Sequence, residues 1–209
     1  MSAEQAIVFI VGDSSSSRQP IVGLLESAGY LVQAYGTAEE FLDDYDVECR
    51  GCLVTDLKLP GASSLDLQDW LIKVESCLPV IIITGRGDIP TAVRAIERGA
   101  VGFLEEPYEP HQLLQLVGTA IEQNDACRRN REERADVRSR LDRLTPSERA
   151  VMELSLQGKR LKQIAAELEV TIQTASRHHI SVLKKLQVES DVEMARLLID
   201  TDQPLSTRD

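Results

Sequence analysis

The sequence predicts an α/β domain built on a five-stranded parallel sheet, joined by a helical linker to an all-α domain of four helices. Residues 6–121 alternate apolar runs with amphipathic segments of helical period, the rhythm of strand–helix–strand units. Residues 122–143 are highly charged and lack Gly and Pro, as expected of an exposed helix. Residues 144–200 are helical in period throughout. We therefore expect domains at 1–121 and 144–200, a linker at 122–143 and a disordered tail at 201–209.

The elements of the first domain follow from its apolar runs and turn residues. Strands are predicted at 6–11, 31–34, 51–55, 79–83 and 102–105, and helices at about 17–28, 37–45, 63–75, 88–98 and from 109 onward. A sheet of this kind is covered by helices on both faces, with right-handed crossovers between its strands.

Capping residues define the helices of the second domain. Thr145-Pro146-Ser147-Glu148 reads as an N-cap, a first-turn Pro and a capping-box Glu, and Gly158 ends this helix. A short helix covers 164–168, a third runs from a Thr171 cap to Leu186, and a fourth follows Ser190 to about Asp200. The expected core positions of the third helix are Ala175, Ile180, Leu183 and Leu186.

Charge is divided unevenly between the two halves. Residues 1–121 hold 7 Lys and Arg against 18 Asp and Glu, whereas residues 122–209 hold 16 of each. Nucleic acid binding requires cationic contacts to phosphates, so only the second half is expected to bind DNA.

No segment resembles a membrane span or a signal peptide, because the apolar runs are far shorter than the roughly 20 residues needed to cross a bilayer. A cytoplasmic protein is therefore expected. Cys49-Arg50-Gly51-Cys52 has the spacing of a redox or zinc motif but has no second ligand pair. We expect Cys49, Cys52, Cys77 and Cys127 to be ordinary reduced cysteines.

Polar residues follow four predicted strands of the first domain. Asp13 follows the first strand, Asp56 the third, Thr84 the fourth and Glu106 the fifth. Because the carboxyl ends of parallel strands share one edge of the sheet, a single pocket should collect these side chains.

The second domain contains a candidate helix-turn-helix. A short helix, a turn at Glu169-Val170 and a longer capped helix form the pattern in which the second helix enters the DNA major groove. Its polar residues suit base edges near its start and phosphates at its far end. The candidate DNA-binding residues are Gln173, Thr174, Ser176, Arg177, His179, Lys184 and Lys185, with Lys162 as a further phosphate contact.

Residues from Leu144-Thr145-Pro146-Ser147-Glu148-Arg149 to Lys184-Lys185-Leu186-Gln187-Val188 resemble the LuxR-type helix-turn-helix of NarL/FixJ response regulators. The resemblance implies that Ser176 and Arg177 match base-reading positions. His178 matches a recurrent His, either a scaffold residue or a contact. Two positions depart from the pattern: Ala175 replaces the usual Val, and Glu169 stands where the turn usually has Gly, at a cost on the order of 1 kcal/mol.

The first domain resembles a two-component receiver of flavodoxin-like fold through Asp13, Leu57-Lys58-Leu59-Pro60-Gly61 after Asp56, Thr84-Gly85, and Phe103-Leu104-Glu105-Glu106-Pro107. The resemblance implies that Asp56 accepts a phosphoryl group from a histidine kinase. It also implies that carboxylates and the Lys58 carbonyl hold Mg²⁺, that Thr84 binds the phosphoryl group, and that Phe103 is an aromatic switch. Asp56 as a structural relic, and Phe103 as plain packing, are the alternatives.

Two residues break the receiver pattern. Gly12 stands where an acidic residue is expected, and Glu106 stands where a Lys is expected. Glu106 would repel a phosphoryl group that carries roughly two negative charges. Mg²⁺ is expected to bind weakly, through Asp13, Asp56 and Lys58, and no cofactor is required. Arg86 or Lys58 could supply the missing positive charge.

Three functions remain open on the sequence. The first, which we favour, is a DNA-binding transcription regulator whose degenerate receiver works without ordinary phosphorylation, through a partner, a ligand or self-association. The resemblance places a homodimer face on the fourth helix, fifth strand and fifth helix, around Arg94, Glu97, Arg98, Phe103 and His111. The second is a phosphorylation-dependent regulator with a compensated site. The third is an interaction module that does not read DNA. A self-standing enzyme is not expected, because neither a phosphate-binding Gly loop nor a catalytic triad is present.

Overall fold

The structure, a computed structural model, describes residues 5–57, 59, 63–85 and 89–200. It forms two compact units, Met1–Arg128 and Arg129–Asp209. The predictions for Lys58, Arg86 and the tail at 201–209 lie outside the described residues. Within the described part of the chain, none of the helices has the length and apolar character needed to cross a bilayer.

The first unit contains a five-stranded parallel sheet in the order β2-β1-β3-β4-β5. The strands are β1 (Ile7–Val11), β2 (Leu31–Tyr35), β3 (Gly51–Asp56), β4 (Val80–Thr84) and β5 (Gly102–Glu105). Each predicted strand is confirmed to within one residue at either end. The apolar runs were reliable guides because the central strands are buried on both faces.

Helices cover both faces of the sheet and enclose two apolar layers. They are α1 (Ser15–Ser27), α2 (Ala38–Asp44), α3 (Ser64–Lys73), α4 (Ile89–Glu97) and the first part of α5 (Pro110–Asp142). Phe9 and Leu53 face one layer, in which Phe9 packs edge-on against Phe41 with ring centroids 5.5 Å apart. Val8 and Val54 face the other layer, against α1 and α5. The sheet is thereby held rigidly, and its strand ends form a fixed edge.

The middle of α5 is fastened to the opposite edge of the sheet. Asn124 is fully buried; its side chain accepts a hydrogen bond from the Gly51 amide at 3.1 Å and donates one to the Cys77 carbonyl at 2.8 Å. Arg50 donates two bonds of 2.6 Å to Asp125. One turn later, Cys127 forms a disulfide with Cys77, with Cα atoms 5.7 Å apart.

The disulfide corrects the prediction of four reduced cysteines. Cys127 lies beyond the predicted domain boundary at 121, and α5 carries it back against the loop before β4. A sequence separation of 50 residues hides this proximity. Cys49 and Cys52 are not disulfide-bonded, as predicted. Burial raises the pKa of Cys52 to about 12, so this thiol is unreactive.

The second unit packs four helices against the last turns of α5. The helices are α6 (Pro146–Leu156), α7 (Leu161–Glu167), α8 (Ile172–Leu186) and α9 (Asp191–Asp200). Val137 and Leu141 of α5 are buried with Met152 and Leu186 in the core of this unit. The fully exposed stretch of α5 is therefore 129–136, shorter than the predicted linker at 122–143.

One predicted core position of α8 is wrong. Ile180 is 62% exposed, whereas its neighbour Val182 is fully buried. Ala175 and Leu186 are buried as predicted, and Leu183 is partly buried. Residues 175, 182 and 186 face the core at helical spacing, and position 180 falls outside that stripe.

Candidate functional site

A small cavity lies at the carboxyl ends of β1, β3 and β4. Its volume is about 40 Å³, room for about three waters at roughly 10–15 Å³ each. The polar residues and glycines that line it are Gly12, Ser17, Arg18, Thr55, Asp56, Thr84, Gly85 and Glu106. Asp56, Thr84 and Glu106 therefore meet at one edge of the sheet. Asp13 is exposed and does not belong to this lining, in contrast to the expectation from its position after β1.

The loop after β5 turns the Glu106 carboxylate toward the cavity. The Glu106 amide donates to the Thr84 carbonyl at 2.9 Å, which continues the pairing of β5 with β4. A Glu106 carboxylate oxygen lies 3.0 Å from the place that a Cβ on Gly85 would occupy. Gly85 therefore leaves the space in which this carboxylate sits. A negative charge occupies the position for which the receiver pattern predicts a Lys.

Arg18 is the functional candidate that sequence reasoning missed. It lies in the first turn of α1, is partly buried, and its guanidinium donates to the Gly12 carbonyl. Its stem passes over Gly12, with Cγ 3.5 Å from the place of a Cβ there. The signal was present in the sequence, because Arg18 is the sole cation among residues 1–49.

The described residues do not fit the Mg²⁺ ion that the receiver resemblance implies. Gly12 offers no carboxylate, and its carbonyl already accepts a bond from Arg18. The described residues contain no group of three or more His, Cys, Asp or Glu placed to hold a metal. Mg²⁺ usually binds one or two carboxylates and keeps several waters, and among the described residues that line the cavity one of the expected carboxylates is missing.

Phe103 and the predicted dimer face lie on the side of α4 and β5. Phe103 is partly buried against the layer that contains Phe9. Arg94, Glu97 and His111 are exposed, and Arg98 forms an ion pair of 3.2 Å with Asp69 of α3. Two apolar residues, Val93 and Ile96, are 50% and 48% exposed on α4.

In the second unit, α7 and α8 form the predicted helix-turn-helix. Glu169 adopts a left-handed conformation with φ 54°, as its place in the turn requires. The Val170 amide then closes the turn on the Ala165 carbonyl at 2.9 Å. Thr171 caps α8 by accepting a bond from the Thr174 amide at 3.1 Å. The turn thus keeps the geometry that Gly usually provides.

The outer face of α8 is a single stripe, which we call the reading stripe. Its members are exposed and recur at spacings of four, three and four: Gln173, Arg177, Ile180 and Lys184. Such spacing places side chains in one row along a helix. Thr174, Ser176 and His178 flank the row and are partly buried.

Two predicted DNA contacts have partners inside the unit. Lys185 donates to Glu148 at 2.6 Å and to the Arg143 carbonyl at 3.0 Å. His179 bonds Asp191 at 2.7 Å. Both residues therefore tie α8 to other helices.

Comparison with known proteins agrees with this architecture. Residues 8–118 match the family described as response regulator receiver domain, and residues 142–198 match the LuxR family of bacterial regulatory proteins. The chain is 38% identical over 196 residues to Nodulation protein W of Bradyrhizobium diazoefficiens, covering 94% of this chain and 86% of that protein. It is 34% identical over 190 residues to the transcriptional regulatory protein FixJ of the same species, covering 91% and 93%.

Solved structures give the same result. Response regulator StyR matches with a TM-score of 0.82 and 35% identity, over 93% of this chain and 98% of that chain. Full-length FixJ from B. japonicum matches with a TM-score of 0.58 and 31% identity, over 97% and 100%. The chain therefore belongs to the NarL/FixJ-type response regulators, in which a receiver domain precedes a LuxR-type DNA-binding domain, and it is a transcription regulator and not an enzyme.

Proposed function

We propose that this transcription regulator works without ordinary Mg²⁺-dependent phosphotransfer to Asp56, and that its receiver signals through a protein partner or self-association. One observation carries the proposal: the Glu106 carboxylate lies against Gly85 in the cavity that contains Asp56. A phosphoryl group on Asp56 would add roughly two negative charges beside it. Repulsion between like charges that share one cavity opposes the modification.

Phosphorylation by acetyl phosphate tests this proposal. Intact-protein mass would be measured with Mg²⁺ for the wild type, Glu106→Lys and Glu105→Lys. Glu105 is the exposed neighbour outside the cavity lining, so its variant makes the same charge change away from Asp56. We expect no mass gain for the wild type or Glu105→Lys, and a phosphoryl mass gain for Glu106→Lys once Gly12→Asp and Arg18→Ala restore the metal donors; adding Asp56→Asn should abolish that gain.

A second candidate is a phosphorylation-dependent regulator with a compensated site. It is favoured by the position of Asp56 at the end of β3, in one cavity with the buried Thr84. Efficient labelling of the wild type that is lost in Asp56→Asn would establish this candidate and reject the first. A histidine kinase would then be the natural phosphoryl donor, whereas in the first proposal a kinase is a docking partner.

For DNA recognition, we infer that α8 enters the major groove with its reading stripe. Gln173 and Arg177 would face base edges, and Lys184 with Lys162 of α7 would meet phosphates. Binding sites selected from random duplexes provide the probe. Arg177→Ala should relax base preference at one position, and Lys184→Ala should lower the salt slope by about 1. Unchanged preference and slope would reject this orientation of α8.

For self-association, we infer a homodimer through α4, β5 and α5. Val93 and Ile96 give this face an apolar centre, with Arg94 and Glu97 as charges beside it. Analytical ultracentrifugation would compare Ile96→Glu with Ile72→Glu, since Ile72 is 56% exposed on α3. We expect only Ile96→Glu to weaken the dimer; a wild type that stays monomeric at high concentration would contradict the inference. A regulator of this type would act where the chromosome lies, in the cytoplasm.

A further inference from the structure

We propose that Arg18 takes the place of the divalent cation in the receiver cavity, so that this receiver does not use Mg²⁺. The inference deepens the proposed function and rests on it for its regulatory meaning. The role of Arg18 as the positive charge that faces Asp56 and Glu106 does not depend on how the receiver signals.

Gly12 leaves room for the stem of Arg18. A Cβ at position 12 would lie 3.5 and 3.8 Å from Cγ and Cδ of Arg18, so the stem passes over Gly12 at van der Waals distance. The guanidinium is oriented by its bond to the Gly12 carbonyl. The glycine and the cation therefore lie side by side between β1 and α1, with Arg18 both packed over Gly12 and bonded to its carbonyl.

Charges of both signs line the cavity. Among the described residues that line the cavity, Asp56 and Glu106 carry negative charge and Arg18 carries positive charge. Arg18 is partly buried, whereas Asp56 and Glu106 are exposed, so solvent screens part of the attraction between these charges. A guanidinium is weakly hydrated and permanently charged, so it can remain in a small cavity as the counter-charge of carboxylates. A Mg²⁺ ion would meet this fixed positive charge and a reduced set of oxygen donors.

The replacement of the metal ion by Arg18 should be reversible by mutation. If Arg18 replaces the metal, removing Arg18 and restoring the carboxylate should together create a Mg²⁺ site. The double variant Gly12→Asp/Arg18→Ala does this. A Cβ on Gly12 would meet Arg18 atoms at ordinary contact distances of 3.5 and 3.8 Å, so Asp at this position involves no backbone clash.

Isothermal titration calorimetry with Mg²⁺ alone, on the full chain and without a phosphoryl donor, tests the inference. We expect no binding by the wild type at millimolar Mg²⁺ and at least tenfold tighter binding by the double variant. Lys73→Ala is the matched control, because it removes one exposed cation from the same acidic unit away from the cavity. This control should bind no more Mg²⁺ than the wild type.

Thermal unfolding followed by Trp70 fluorescence gives a second measurement. Arg18→Ala should unfold at a lower temperature than the wild type, and Mg²⁺ should raise its melting temperature but not that of the wild type. Mg²⁺ binding by the wild type at or below millimolar concentration would overturn the inference without any variant having to fold. Phosphorylation of a wild type that binds no Mg²⁺ would instead reject the proposed function and leave the role of Arg18 intact.

Discussion

At the scale of single residues, the neighbours of Ile180 indicate a function for this exposed apolar side chain. It lies three residues after Arg177 and four before Lys184, in the row that faces outward from α8. An apolar side chain in the major groove can contact the methyl group of thymine. Ile180 is therefore a candidate for reading one base pair, a role that its predicted place in the core concealed.

Replacing Ile180 by Ala should weaken binding to a selected DNA site about fourfold, because the thymine methyl group loses its packing partner at a cost of roughly 0.8 kcal/mol. The same loss should follow when uracil replaces thymine at the contacted position, and the two changes should not add. Val192→Ala is the control, because Val192 is 63% exposed on α9. Fluorescence anisotropy would measure the four combinations, and additive losses would contradict the contact.

The free-energy cost of the left-handed backbone conformation at Glu169 can also be measured. Its φ of 54° is unfavourable for a residue with a Cβ. Glu169→Gly should stabilise the second unit by up to about 1 kcal/mol, the left-handed strain less the added entropy of the unfolded chain. Ala166→Gly, at an exposed position of α7 three residues before Glu169, should instead destabilise it by about 1 kcal/mol. Denaturation followed by circular dichroism would detect both, and equal signs would reject the explanation.

At the scale of elements, the start of α6 is an interior junction as well as a helix cap. Glu148 completes the predicted capping box with Thr145 and is only 5% exposed. Its carboxylate also accepts bonds of 2.6 Å from Lys185 and Ser181 of α8. These bonds, that from Lys185 foremost, lower the pKa of Glu148 to about 2. The sequence shows the cap, but the α8 partners become visible only when the helices pack.

Glu148→Gln should therefore destabilise the second unit by about 2 kcal/mol at neutral pH, the value of a charge-assisted hydrogen bond. The folded pKa lies below the ordinary value of 4.5, so this contribution is complete above about pH 4.5 and is lost as the pH falls toward 2. The difference between wild type and variant should shrink over that window. Glu153→Gln on the same helix is the matched control in denaturation curves, and a Glu148→Gln difference that stays constant with pH would disprove the assignment.

Elements also explain what sequence reasoning could and could not reach. The convergence of Asp56, Thr84 and Glu106 was predictable, because parallel strands bring their ends to one edge. The place of Arg18 was not, since it depends on how the first turn of α1 folds back over Gly12. The disulfide was missed for a similar reason: the run of α5 past residue 121 decides that Cys127 reaches Cys77.

At the scale of the whole molecule, the two units differ in the probes they carry. All eight aromatic residues, including Trp70, lie before residue 122, so aromatic fluorescence reports on the first unit alone. Circular dichroism reports on the helices of both. The disulfide lies entirely within the first unit. The stabilities of the two units can thus be separated in the intact chain, without cutting α5.

Breaking the disulfide tests this separation. The cross-link closes a loop with a sequence separation of 50 residues, and the loss of that constraint on the unfolded chain corresponds to about 4 kcal/mol. Cys77→Ser should lower the stability measured by Trp70 fluorescence by that amount, and reduction of the wild type should do the same. Cys49→Ser, which replaces a cysteine outside the disulfide, is the control and should change this stability less than Cys77→Ser does. The helices after residue 128 unfold in a transition that only circular dichroism detects. The midpoint of that transition should not change. An equal shift of both transitions would show that the stability of the second unit depends on the first, so that reduction of one disulfide destabilises both units.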